Sequence, residues 1–80
     1  MKLNTFPRSA VNRSQLLDAL MDGYVSWREE SDAVSESYCA WTRATREERW
    51  LAYAAYVAAL DREERAACTY RRLVEQVQAA

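Results

Sequence analysis

An all-α fold, an antiparallel hairpin of two long helices over residues 12–43 and 45–78, is predicted by three observations on this 80-residue chain. It holds one glycine and one proline, too few to build many tight turns or to interrupt helices often. Ala, Glu, Arg and Leu, all strong helix formers, fill much of the remainder. Apolar and aromatic residues recur at alternating spacings of three and four, the period of a helix packed lengthwise on another.

Pro7 keeps the first residues out of a long helix, so residues 1–11 read as a short N-terminal arm, with Leu3 and Phe6 as its contacts, and residues 12–80 as one helical domain. Asn12 is the candidate N-cap of the first helix. Gln15 stands at the reciprocal capping-box position, and Val11 and Leu16 are spaced as a hydrophobic staple. From there Leu17, Leu20, Tyr24, Trp27, Ser31, Val34, Tyr38 and Trp41 form a seam. Carried forward, the same register lands on Thr45, Glu48, Ala52, Ala55, Ala59, Arg62, Ala66 and Thr69, which cannot continue a row of large residues. This phase break predicts a turn around Thr42 to Thr45. The capping box of Thr45-Arg46-Glu47-Glu48 follows, with acidic residues at the positive end of the helix dipole. A new stripe then runs through Trp50, Tyr53, Val57, Leu60, Glu64 and Ala67, and with a one-residue drift through Tyr70, Val74 and Val77.

Folding between Thr45 and Arg46 pairs Trp41 with Trp50, Tyr38 with Tyr53, Val34 with Val57 and Ser31 with Leu60. It continues with Trp27 on Glu64, Tyr24 on Ala67, Met21 on Tyr70 and Leu17 on Val74. The triplet Arg-Glu-Glu occurs at Arg28, Arg46 and Arg62. The middle copy reads as a helix start. The outer two read as flanking charges, with Arg28 facing Glu63 and Glu29 facing Arg62. The same register sets Glu30 against Asp61, a like-charge contact that argues for a slip of a residue or two.

Two helices hide one stripe each, yet the second also carries Leu51, Ala52, Ala55, Tyr56, Ala58, Ala59, Ala66 and Leu73 outside its seam. The small row Ala52, Ala55, Ala59 and Ala66 would admit another helix closely. A domain this small gains little from its own core. A partner is therefore expected: a second copy, giving a two-fold symmetric four-helix bundle, or another helical protein. The candidate interface joins that row and Leu51 and Leu73 to the aromatics near the turn, Trp41, Trp50, Tyr53 and Tyr56, residue types rich in interface hot spots. Trp27 and Glu64 form a polar layer, either a small ligand pocket or a register-fixing device in which Glu64 leans out to solvent or accepts the indole N–H.

Eleven basic against twelve acidic residues, a net charge of −1, supply no field to hold phosphates or an anionic membrane, so nucleic acid is not expected as a partner. No apolar run approaches the ~20 residues of a membrane span, and "MKLNTFPRS" lacks a signal-peptide core. A cytoplasmic protein is the expectation. Absence of histidine removes the commonest general base and most catalytic zinc sets. With no Gly-rich phosphate loop either, no enzyme activity, metal or cofactor is expected. Cys39 and Cys68 are separated by roughly 24 Å along the hairpin in this pairing, too far for an internal disulfide. The function expected is a non-enzymatic interaction module, a homodimeric adaptor or accessory protein. The alternative is a small regulatory or neutralising protein that binds one heterologous partner, and a third reading is a ligand sensor at Trp27 and Glu64.

Overall fold

The computed structural model of the chain describes residues 12–79. Two α-helices of 31 residues each, α1 (Arg13–Arg43) and α2 (Arg49–Ala79), pack against each other along their length as a hairpin. The start of α1 is where capping chemistry predicts it, since the Asn12 side chain accepts the Ser14 backbone N–H at 2.7 Å. Val11, the proposed staple residue, and the whole 1–11 arm with Leu3 and Phe6 lie outside the described residues.

α1 ends at Arg43, where Ala44 turns to extended backbone and its N–H closes on the Trp41 carbonyl at 3.2 Å. Thr45 then receives the Glu48 N–H on both its carbonyl, at 3.1 Å, and its hydroxyl, at 3.3 Å. The threonine half of the capping box is thus formed, and residues 46–48 make one turn before α2 begins at Arg49, four residues later than expected.

The helices meet through two rows that alternate by fours and threes without a break. On α1 these are Leu16, Leu20, Gly23, Trp27, Glu30, Val34, Ser37 and Trp41. On α2 they are Ala52, Tyr56, Ala59, Glu63, Ala66, Tyr70, Leu73 and Val77. All are half-buried except Ala59, which is fully buried. Contacts set their pairing: Trp41 lies against Tyr53 and Tyr56, Tyr38 against Tyr56, and Tyr24 and Trp27 against Tyr70. Gly23 backs onto Leu73 and Tyr70. The resulting layers are Trp41 with Ala52, Ser37 with Tyr56, Val34 with Ala59, Glu30 with Glu63, Trp27 with Ala66, Gly23 with Tyr70, Leu20 with Leu73 and Leu16 with Val77. Large stands opposite small in five of these eight layers, which lets the two backbones approach closely enough to bury Ala59.

This corrects the expected register. Layers are displaced by two residues, so Trp41 meets Ala52 and not Trp50. Both helices are also rotated. In α1 only Leu20, Trp27, Val34 and Trp41 of the expected seam point inward, while Leu17, Tyr24 and Tyr38 are exposed. In α2 the stripe of Trp50, Tyr53, Val57 and Leu60 is exposed. The small row assigned to a further helix supplies Ala52, Ala59 and Ala66 to the hairpin itself. The physical reason is steric: the expected layers set Trp on Trp and Tyr on Tyr, which would hold the helix axes apart, whereas an alanine row admits the bulky side chains of α1.

Candidate interaction surface

Among the ten residues expected at an interface, Ala52, Tyr56, Ala59, Ala66 and Leu73 belong to the inward row of α2, and Trp41 to that of α1. Trp41 stacks on Tyr56 with ring centroids 5.4 Å apart and leans on Tyr53 at 5.0 Å. Tyr38 joins this group through Tyr56 at 5.6 Å. The aromatic cluster expected near the turn is therefore present, with Trp41 and Tyr56 half-buried between the helices and Tyr38 and Tyr53 exposed at its edge. Trp50 stands outside it, 71% exposed, and Leu51 and Ala55 are exposed as well.

The polar layer is real, with one member exchanged. Trp27 Nε1 donates to Glu63 Oε2 at 2.8 Å, and Glu64 is exposed. One level away, Arg62 Nε donates to Glu30 Oε1 at 3.2 Å. These two bonds resolve a conflict built into the fold. Glu30 and Glu63 fall in the same layer, where two like charges would repel, and each carboxylate is given its own donor. Arg62 does bridge the first and last Arg-Glu-Glu triplets, through Glu30 and not Glu29. The pocket reading of Trp27 with Glu64 fails because the indole N–H is spent on Glu63. Among the described residues no buried side-chain polar atom lacks a partner that would invite a ligand.

A residue directly after an inward one sits about 100° further round its helix, in the same sense in both. Because the helices are antiparallel, that turn brings the two following rows to one side of the hairpin. On α1 this side carries Leu17, Met21, Tyr24 and Tyr38, and on α2 Trp50, Tyr53, Val57 and Leu60, eight of the ten exposed large hydrophobic residues. The remaining two, Val25 and Leu51, point elsewhere. The opposite side carries an open groove lined by Ala19, Asp22, Gly23, Ser26, Ala66, Thr69 and Leu73, where Gly23 puts no side chain into it.

The candidate surface is thus the expected intramolecular seam turned outward. Leu17, Met21, Tyr24, Val57 and Leu60 lie outside the expected interface because the sequence pairing places them inside the hairpin. A usable signal was present: the second, uninterrupted four-three row of α2, in which small residues recur opposite the large residues of α1.

Exposures of 39% to 71% across these eight residues matter because a large side chain can bury ~150–250 Å². On the order of 800 Å² of mostly apolar surface is then left on one side, the share each partner gives to a standard interface. Among the described residues no helix is long and apolar enough to cross a membrane, and no three Cys, Asp or Glu side chains converge as a metal would require. Cys39 and Cys68 are free thiols, the first exposed and the second half-buried. Comparison with protein-family models, with curated proteins and with solved structures finds no match for this chain.

Proposed function

We propose that the chain is a non-enzymatic interaction module, an adaptor or accessory subunit, whose hairpin pairs with a second copy of itself into a four-helix bundle. The observation that carries this reading is the one-sided distribution of exposed apolar residues, from Leu17 and Met21 on α1 to Trp50, Val57 and Leu60 on α2. Scattered exposed leucines are normal on a protein surface, whereas large apolar residues gathered on one side in this number support an interaction site. A hairpin with Ala59 as the one buried residue among those described has little core of its own, and a second layer would supply it at ~25 cal/mol per Å² of apolar area removed from water. The lack of histidine and the committed Trp27–Glu63 bond support a role without catalysis.

Sedimentation velocity over a hundredfold range of protein concentration, with the charge-neutral change Trp50→Ala as control, tests the proposal. A dimer that Trp50→Ala shifts toward monomer supports it. A wild-type chain that stays monomeric and melts as one cooperative unit removes it. A monomer that melts without cooperativity replaces the second copy with a heterologous partner.

A further inference from the structure

The exposed strip is not uniformly apolar, and its charges sit where they can choose how a second copy docks. Following the inward residues Trp27 and Glu63, the next positions are Arg28 and Glu64. Both therefore lie on the strip side and within one residue of the same level, because the layers of Trp27 with Ala66 and Glu30 with Glu63 set Arg28 opposite Arg65, next to Glu64. They are also the central residues of their helices, Arg13–Arg43 and Arg49–Ala79. Both side chains are exposed, and neither forms an ion pair among the described residues.

Two hairpins can stack strip on strip with two-fold symmetry in two ways. With the turns at opposite ends, α1 lies on the partner's α1 and α2 on the partner's α2. Full overlap then sets Arg28 on the partner's Arg28 and Glu64 on the partner's Glu64, and brings Trp50 level with the partner's Gln78 and Val57 level with the partner's Arg71. With the turns at the same end, α1 lies on the partner's α2. Arg28 then meets the partner's Glu64, and by symmetry Glu64 meets the partner's Arg28. Within two residues of the same level, about 3 Å, Tyr38 lies beside the partner's Tyr53, Ser31 beside the partner's Leu60, Tyr24 beside the partner's Ala67 and Leu17 beside the partner's Val74. Arg71 falls level with the partner's Met21, along which its aliphatic stem can lie.

We infer that the strip takes a second copy of this chain with both turns at the same end, and that Arg28 and Glu64 are the residues that select this arrangement. The inference rests on the proposed homodimer and adds its geometry. Opposite charges at the centre of an apolar strip give orientation more than affinity, because the wrong arrangement sets like charges together.

The test is a charge-swap series in the full chain, read by sedimentation equilibrium with far-UV circular dichroism confirming retained helix. Arg28→Glu and Glu64→Arg each convert two attractive contacts into two repulsive ones. Either should raise the dimer dissociation constant by about tenfold or more, and the two together should restore it. In the turns-opposed arrangement every one of these variants keeps like charges paired, so no rescue would be seen. A spin label at Thr45→Cys, with Cys39→Ser and Cys68→Ser, reports the geometry directly. Turns together give a separation on the order of 20 Å, whereas turns apart give about 45 Å, the length of one helix. A dimer with distant labels and no rescue overturns the inference and leaves the homodimer standing. A monomer at all concentrations overturns both.

Discussion

Gly23 shows how much one missing side chain decides. It stands level with Tyr70 in the interhelical layers, and a Cβ placed there would come within 2.9 Å of Leu73 Cδ1 but no nearer than 3.8 Å to Tyr70. The close atom is the free end of a flexible side chain, so it can move aside. Ala in place of Gly in a helix interior gains about 0.8–1 kcal/mol, which outweighs that adjustment. Gly23→Ala is therefore expected to raise stability by roughly 0.5 kcal/mol, measured by urea melts. Gly23→Leu is expected to lower it by about 1–3 kcal/mol, because the added atoms overfill the layer that Tyr70 occupies. Trp27 offers a second residue-scale test. Trp27→Phe keeps an aromatic ring beside Tyr70, now at 5.7 Å and stacked, but leaves Glu63 without its donor. A loss of roughly 1 kcal/mol is expected at this partly exposed site. A double-mutant cycle with Glu63→Ala checks it, with a coupling energy near zero counting against the bond as a register device.

At the scale of the helix, the two faces of α2 make opposite predictions for the same chemical change. Ala59 is 1% exposed and faces Val34 across the hairpin; Ala55, four residues earlier, is exposed. Ala59→Leu is expected to cost about 1–3 kcal/mol by forcing the helices apart, while Ala55→Leu is expected to stay within ~0.5 kcal/mol of the parent. Chemical denaturation of the two variants side by side distinguishes the observed packing from the rotated alternative, in which these alanines share one outer row. Helix boundaries follow the same local logic. Asn12 caps α1 and Thr45 gathers the first N–H of the turn before α2, so each start was visible as capping chemistry. The four-residue delay of α2 was not, because a capping residue marks where backbone groups need partners, and a single hydrogen-bonded turn satisfies that need as well as a regular helix does.

For the whole molecule, the consequence of an interface of alternating large and small residues is a thin structure. Aromatic rings bridge the helices near the turn, Trp41 with Tyr56, and around mid-length, Trp27 with Tyr70, yet Ala59 is the one fully buried residue among those described. Stability should then depend on assembly. If the proposed bundle forms, the melting temperature is expected to rise with protein concentration, as mass action requires of a folded dimer in equilibrium with unfolded chains. Trp50→Ala should flatten that dependence while leaving the helical circular dichroism of the concentrated protein nearly unchanged. Differential scanning calorimetry at several concentrations checks this, and a melting temperature independent of concentration in the parent chain would remove the second copy from the account.

Composition and periodicity determined, unaided, that the chain is helical, that it doubles back near Thr42 to Thr45, and that aromatic residues gather at the bend. These are local matters: propensity, capping and the scarcity of Gly and Pro act within a few residues along the chain. Which face of each helix turns inward was decided only in three dimensions. Seam residues such as Tyr24 and Val57 and inward residues such as Gly23 and Ala59 follow the same four-three period, one or two positions apart, so the period alone ranks them by size and selects the bulky row. Packing ranks them by fit, and a tryptophan fits an alanine better than another tryptophan. That preference turned the large residues of one side outward and brought Trp27 to Glu63 in place of Glu64.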